Sequence, residues 1–521
     1  MKHAGKTIAV VAALAAAGAA TWPLASTIWT GIIRAGHAIG WIAAALLIVV
    51  ALLAAAAAAE KTLGKAASAV LVAAALAGFV AILVVGSSTS HNRLDWYFSD
   101  QVTVTDDPPP AFELREPYIT ASRLLRRSAG QEFSNVRVHD AYFTDSSAEW
   151  ATVIDGRGWF LPTQAVLARD GRDFRSCRMD GLDRALDGSF ANSVKREINK
   201  EIRGTGMELS DAAAVCSDDG DATVYLSLWR YHGIVQPARV PAAVVEIDAD
   251  GVYTVHDDPG DFDVPVVPYT TVQQVVQTLP YLDPATGETS GRLSAFARSR
   301  RTGLEAPEGA SRPQDQRVDT DADGADARNP DAEAHGEYLM QAMDGRYYYV
   351  SALTPLGDNE RITALAVAPA DRLEPGEPPE VTIHELGDDE RLSNREVNDR
   401  LRTVFDSDVA WEAGYETFEI APYRDGTWSV TIGQSLELPF RAIVDADGEA
   451  CLYRQATGGG DGLVRIACTE HASDTARGLA DPVSDEDQPS PEGAVPDSLA
   501  DLSEGELLEL LDAVGRELRS R

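Results

Sequence analysis

The stretch "TWSVTIGQSLELPFRAIVDADGEACLYRQATGGGDGLVRIAC", residues 427–468, decides how the rest of the chain is read. "TWSVTIG", "PFRAIVDADG" and "EACLYR" are each rich in β-branched or aromatic residues, and turn residues separate them. In "VDADG" (444–448) the Asp-Gly pair suits a hairpin turn, because glycine reaches positive φ without a Cβ clash. The next hairpin, "CLYRQATGGGDGLVRIAC" (451–468), centres on Gly459–Gly460, which sets Cys451 opposite Cys468. Opposed residues on neighbouring strands bring their Cβ atoms within disulfide reach. The stretch therefore reads as an antiparallel meander closed by a cross-strand bridge.

The same order of strand, turn, apolar strand, turn and strand recurs twice upstream. "YLSLWRYHG", "PAAVVEIDADG" and "VYTVHDD" make one copy at 225–258, and "YYVSALTPLG", "ITALAVAPADRLEPGEPP" and "EVTIHELG" another at 348–387. Helices precede them. In "SFANSVKREINKEI" (189–202), Phe190, Val194, Ile198 and Ile202 recur every four residues, and "GTG" (204–206) stops the helix. In "SNREVNDRLRTVF" (393–405), Ser393 and Glu396 form a capping box, Leu392 and Val397 a staple, and Val397, Leu401 and Phe405 an apolar face. A short amphipathic helix is expected at "YITASRLLRR" (118–127), and strands at "NVRVHDAYF" (135–143) and "EWATVI" (149–154). A helix before each meander implies α+β lobes with a helix on one sheet face.

The first residues are different. "WIAAALLIVVALLAAAAAA" (41–59) and "AASAVLVAAALAGFVAILVVG" (66–86) are uncharged and long enough to cross a bilayer, and an earlier apolar run extends from Thr7. That first run also has the outline of a cleavable signal peptide. Lys2, Lys6, Lys61 and Lys65 lie on one side of these spans and Arg34 on the other, so the positive-inside rule sets the N-terminus in the cytoplasm. Residues 1–86 carry five cations and the single acid Glu60, a net of +4; the chain carries −36, leaving −40 for residues 87–521. Such a field repels phosphate and argues against nucleic acid.

The cysteines agree with an outward, oxidising location: Cys177, Cys216, Cys451 and Cys468 all lie beyond the apolar runs. Pairing Cys451 with Cys468 leaves Cys177 with Cys216. Arginine outnumbers lysine 39 to 6. With its Ala-rich spans at 41–59 and 66–86 and its acidic outer part, the chain resembles multi-pass envelope proteins of high-GC Gram-positive bacteria. The resemblance is one of layout and composition and implies no activity.

The expected organisation is a membrane anchor at 1–86 with two to three transmembrane helices (about 7–33, 38–59 and 66–86). An extracytoplasmic α+β region follows at 87–299, then a disordered acidic insert at 300–336 and a second α+β lobe at 337–469. Residues 470–497 read as a disordered linker, being poor in large apolar residues. Residues 498–521 read as an amphipathic helix whose stripe of Leu507, Leu510, Leu511, Val514 and Leu518 either docks on its own domain or binds a partner.

The search for chemistry is short. There is no HExxH, GxSxG, P-loop or dinucleotide motif. His139 and Asp140 are adjacent but would point to opposite faces of a strand; His232, His256 and His384 fall at strand ends, where a surface or turn role is expected. "RVDTDADGADARNP" (317–330) puts Asp319, Asp321 and Asp323 in calcium-loop spacing, yet its twelfth position, which should be a bidentate acid, is Pro330. The same letters at 247–251 and 444–448 serve as hairpin turns, so no metal and no cofactor is expected. The spans carry no acid or base for an ion path. The expected protein is a membrane-anchored extracytoplasmic binding or scaffold protein, touching lipid through its N-terminal helices and an envelope protein or wall polymer outside. Two alternatives stand beside it: a hydrolase of cell-wall material, and a sensor subunit working with a partner membrane protein.

Overall fold

The structure is a computed structural model. It describes Val70, Val72, Ala73 and Phe98, then residues 101–478 except 117, 140–141, 146–148, 157–160, 171–172, 187–192, 195–196, 199–206, 218, 233–237, 277–303, 306–336, 356–360, 388–390, 393, 435–436 and 456–462.

Each of four sheets is a meander whose main strands follow one another along the chain. Sheet I runs Val136–Val138, Glu149–Gly156, Thr163–Asp170, Asp173–Arg178, with Tyr142–Asp145 also paired to the second of these. Sheet II comprises Glu208–Cys216, Ala222–His232, Ala238–Ile247 and Tyr253–His256. Sheet III comprises Glu337–Gln341, Tyr347–Pro355, Ala364–Pro369 and Val381–Glu385, and Val102–Thr105 joins its far edge in parallel. Sheet IV comprises Glu416–Pro422, Trp428–Gln434, Glu437–Val444, Ala450–Gln455 and Leu463–Cys468. The meanders read from sequence at 225–258, 348–387 and 427–454 thus fall in sheets II, III and IV.

The period-2 alternation of each strand explains how the sheets stack. In Glu149–Gly156, Ala151 and Val153 face sheet II, while Trp150 and Ile154 face helix α1 (Tyr118–Glu132) through its Ala121, Leu125 and Ala129. In Ala364–Pro369, Ala364, Ala366 and Ala368 share a core with helix α2 (Tyr269–Val276). Leu365 and Val367 instead join helix α3 (Asn394–Val404) and sheet IV. Both faces of these strands are covered, so their sequences read as nearly continuous apolar runs. Sheets packed face to face, with short helices between them, give a propeller-like arrangement.

Two DADG turns are built alike. Gly251 and Gly448 sit at φ +75° and +79°. Their amides donate to the carbonyls of Asp248 and Asp445, at 3.0 and 3.1 Å. The Asp248 and Asp445 carboxylates accept the amides of Val252 and Glu449 at 2.8 and 2.9 Å. A Cβ on Gly251 would also meet the Gly181 carbonyl oxygen at 2.3 Å, so that turn has no room for a side chain.

The fold class expected from sequence is corrected. Among the described residues strand far outweighs helix, and the protein is mostly β. The repeating unit contains a helix, but the helices are short, and a sheet face covered by another sheet needs no helical layer. No described helix is long and apolar enough to cross a membrane. The longest, α1, has 15 residues, short of the roughly 20 that a bilayer core requires. The spans expected near 7–33, 38–59 and 66–86 lie outside the described residues, except for Val70, Val72 and Ala73. The multi-pass, transmembrane placement in the cell membrane, with a cytoplasmic N-terminus and residues 87–521 outside, is withdrawn on this finding.

Candidate functional site

Three places bring functional side chains together. The first is a clasp at residues 111–116, in the Pro-rich "TDDPPPAFELREP" (105–117), where prolines disfavour a helix and leave an extended chain. Its backbone ties sheets III and IV: the Phe112 amide donates to Tyr423 O and the Glu113 amide to Gln341 O, both at 2.8 Å. Next come two opposite charges. Arg115 donates to Glu419 of sheet IV, and its guanidinium lies 5.4 Å from the Trp150 ring of sheet I. Glu116 accepts from Arg169 of sheet I. Arg441 closes the group, donating to Arg115 O at 2.8 Å and to Ser429 Oγ at 3.4 Å.

All five charged groups are largely buried, and burial shifts the titration of two of them, Glu116 and Arg441. It pushes the Glu116 carboxyl above the usual carboxylate value, although Arg169 and Arg441 pull the other way. It also pulls the Arg441 guanidinium below its usual value, against Glu419 and Glu116. Arginine suits the position because its planar fork stays charged and serves several acceptors at once. Three guanidinium groups around two carboxylates tie the clasp to sheets I and IV, and its backbone adds sheet III. The sequence marked this stretch only as an approach without a helix; the adjacent Arg115 and Glu116 were the available signal.

The second place is His139. Its Nε2 lies 2.8 Å from Asp155 Oδ2, so the carboxylate that orients it is sixteen residues away; the neighbouring Asp140 lies outside the described residues. Asp155 Oδ1 accepts from Thr163 Oγ1 at 2.6 Å and from the Leu186 amide at 3.2 Å. A nucleophile–base–acid relay needs the hydroxyl to donate to the imidazole. Here the hydroxyl donates to the carboxylate, so the group works as a knot joining strands of sheet I to residue 186. His384, expected at the surface, is buried in sheet III, with Nδ1 2.9 Å from Asp107 O.

No family model matches this chain, and no curated protein or solved structure matches it.

The third place is the outer edge of sheet IV. Leu463–Cys468 is the terminal strand, and among the described residues nothing pairs with its outer side. Val464 and Ile466 are 41% and 39% exposed, and Arg465 between them is exposed as well. Cys468 is bonded to Cys451 directly across the ladder, while Cys177, on the outer strand of sheet I, is bonded to Cys216 at the end of a sheet II strand. From sequence the first pair follows from the hairpin register and the second by elimination.

Of the other site residues named from sequence, Asp319, Asp321 and Asp323 lie outside the described residues. So do Leu507, Leu510, Leu511, Val514 and Leu518. Among the described residues no group of three His, Cys, Asp or Glu could hold a metal ion.

Proposed function

We propose that this protein is a non-enzymatic binding or scaffold protein, with an envelope protein or a wall polymer as its partner. One contrast supports the reading. The charged groups gathered inside the fold are engaged with one another and tie sheets together, whereas apolar side chains stand exposed on a strand edge that no described strand pairs with. Exposed apolar residues beside unused backbone donors and acceptors suit recognition. The two disulfides suit an oxidising setting.

The test uses the oxidised full-length chain. It is incubated with insoluble wall polymer and, separately, with an envelope extract under crosslinking. Saturable binding or a discrete crosslinked complex, with no soluble fragments released from the polymer, is the expected result. Release of fragments that stops in a His139→Ala variant would show a hydrolase and overturn the reading.

A further inference from the structure

We propose that the outer edge of Leu463–Cys468 takes up an extended segment of a partner protein as an added antiparallel strand, one in which apolar residues alternate with acidic ones. The inference rests on the binding reading above and names its site and the chemistry of its partner.

Four observations point to it. The first is the open edge: a terminal strand presents a row of N–H and C=O groups that its own sheet leaves unused, and such a row is a template for another strand. The second is preorganisation. The Cys451–Cys468 bond pins one end of the strand to its neighbour, and the Thr469 amide donates to Ala450 O at 2.9 Å. Arg465 Nη1 donates to Arg477 O at 3.1 Å, and Tyr453 OH donates to Ala476 O, which seats the short helix Asp474–Arg477 against the sheet. A template already held in place lowers the ordering cost of adding a strand.

The third observation is the exposed row itself. The register against Ala450–Gln455 skips one residue: Leu452 faces Ala467 and Tyr453 faces Arg465, so Ile466 has no opposite number on the inner side. Such an irregularity re-aims a side chain. An incoming strand would cover both Val464 and Ile466.

The fourth is charge. Arg465 is an exposed cation between two apolar residues in a chain of net charge −36. It complements an acidic residue on the incoming strand. It also argues against a second copy, since twofold self-pairing about this strand brings the Arg465 side chains of the two copies close together.

Two other outer strands differ. Asp173–Arg178 is closed by the next stretch of chain: Arg178 bridges to Asp221 and donates its amide to Gly220 O. Tyr253–His256 exposes Val255, but its His256 is held by Glu246 at 2.9 Å and two aspartates, Asp257 and Asp258, follow it.

The test uses the oxidised full-length chain and a labelled synthetic peptide, Thr-Val-Glu-Val-Glu-Val-Thr, with capped ends. Binding is read by fluorescence anisotropy and by amide exchange. Saturable binding with new exchange protection confined to residues 463–468 is expected. Arg465→Glu should weaken it on the order of tenfold and should favour a peptide with lysine in place of glutamate, because opposed charges on paired strands attract and like charges repel. Val255→Thr on sheet II should change nothing. The proposal falls if the peptide does not bind, if Arg465→Glu binds it as well as the native chain, or if protection appears at 253–256 instead. A chain that fails with the peptide yet still binds wall polymer or crosslinks in the envelope extract overturns the edge and leaves the binding reading standing. A chain that binds none of them and releases polymer fragments overturns both.

Discussion

The two disulfides sit on the outer strands of sheets I and IV, and they do different work. Cys177–Cys216 crosses from one sheet to the next, so the edge it touches is covered by the chain that follows. Cys451–Cys468 stays within one sheet and joins its last two strands, so the edge beyond it is stiffened and, among the described residues, has no strand beside it. The same bond therefore closes a seam in one place and prepares a surface in the other. The difference comes from where each partner cysteine lies. Cys216 ends a strand of a different sheet, whereas Cys468 stands directly opposite Cys451.

The largest effect should come from the clasp, which is independent of both bridges. Glu419→Ala leaves Arg115 and Arg441 buried with Glu116 as their remaining carboxylate. Urea unfolding should show a loss of about 3–5 kcal/mol, the usual cost of breaking a buried ion pair from one side. A loss under about 1 kcal/mol would mean that these charges do not hold the sheets together.

Removing each bridge tests the comparison itself. Loop closure over a sequence separation of 39 is worth about 4 kcal/mol, and over 17 about 3 kcal/mol, in the chain-entropy account. The Cys177→Ala/Cys216→Ala pair should therefore lower stability more than Cys451→Ala/Cys468→Ala. Amide exchange should separate them further, with faster exchange across the seam between sheets I and II in the first pair and only around 463–468 in the second. Equal, global effects on exchange would erase the distinction.

Glu116 offers a smaller, pH-dependent test. Its folded carboxyl titrates above the ordinary value of 4.5, because burial disfavours the charged form. The folded state therefore holds this proton more tightly than the unfolded chain does. The stability this contributes is fully present below pH 4.5 and is lost as the pH rises through the folded value. Glu116→Gln should remove that part of the pH dependence, so native and variant unfolding midpoints should converge toward acid and separate toward neutrality. Parallel profiles would show that Glu116 titrates normally.

The smallest effect belongs to the edge. Ile466→Thr should shift stability by no more than about 0.5 kcal/mol, as surface changes usually do. A larger loss would mean that Ile466 packs on its own chain and is not waiting for a partner.

Much of the local structure was legible. The α3 face of Val397, Leu401 and Phe405 is buried, the two DADG turns carry their glycines at positive φ, and three of the four meanders could be read from strand periodicity. Sheet I was legible only in part. Its strand at 149–154 was visible, but "TQAVLARD" and "DFRSCR" mix charge with small residues, and neither alternates cleanly. Part of the reason is that Arg169, a cation in a strand, is buried by its partner Glu116 and not turned to solvent. The candidate site was least legible, since Arg115, Glu116, Arg169, Glu419 and Arg441 come from separate stretches and no spacing links them.

By itself the sequence determined what depends on neighbours along the chain: where strands turn, which helix face is apolar, and which cysteine stands across a hairpin from which. Those are decided within a few residues by φ, by period and by register. Only the tertiary structure decided which sheet covers which, that the fold is mostly β, which charges are buried against one another, and which edge stays open. Each of these depends on surfaces hundreds of residues apart meeting, and burial, which sets the worth of a charge or an apolar side chain, exists only once they have met.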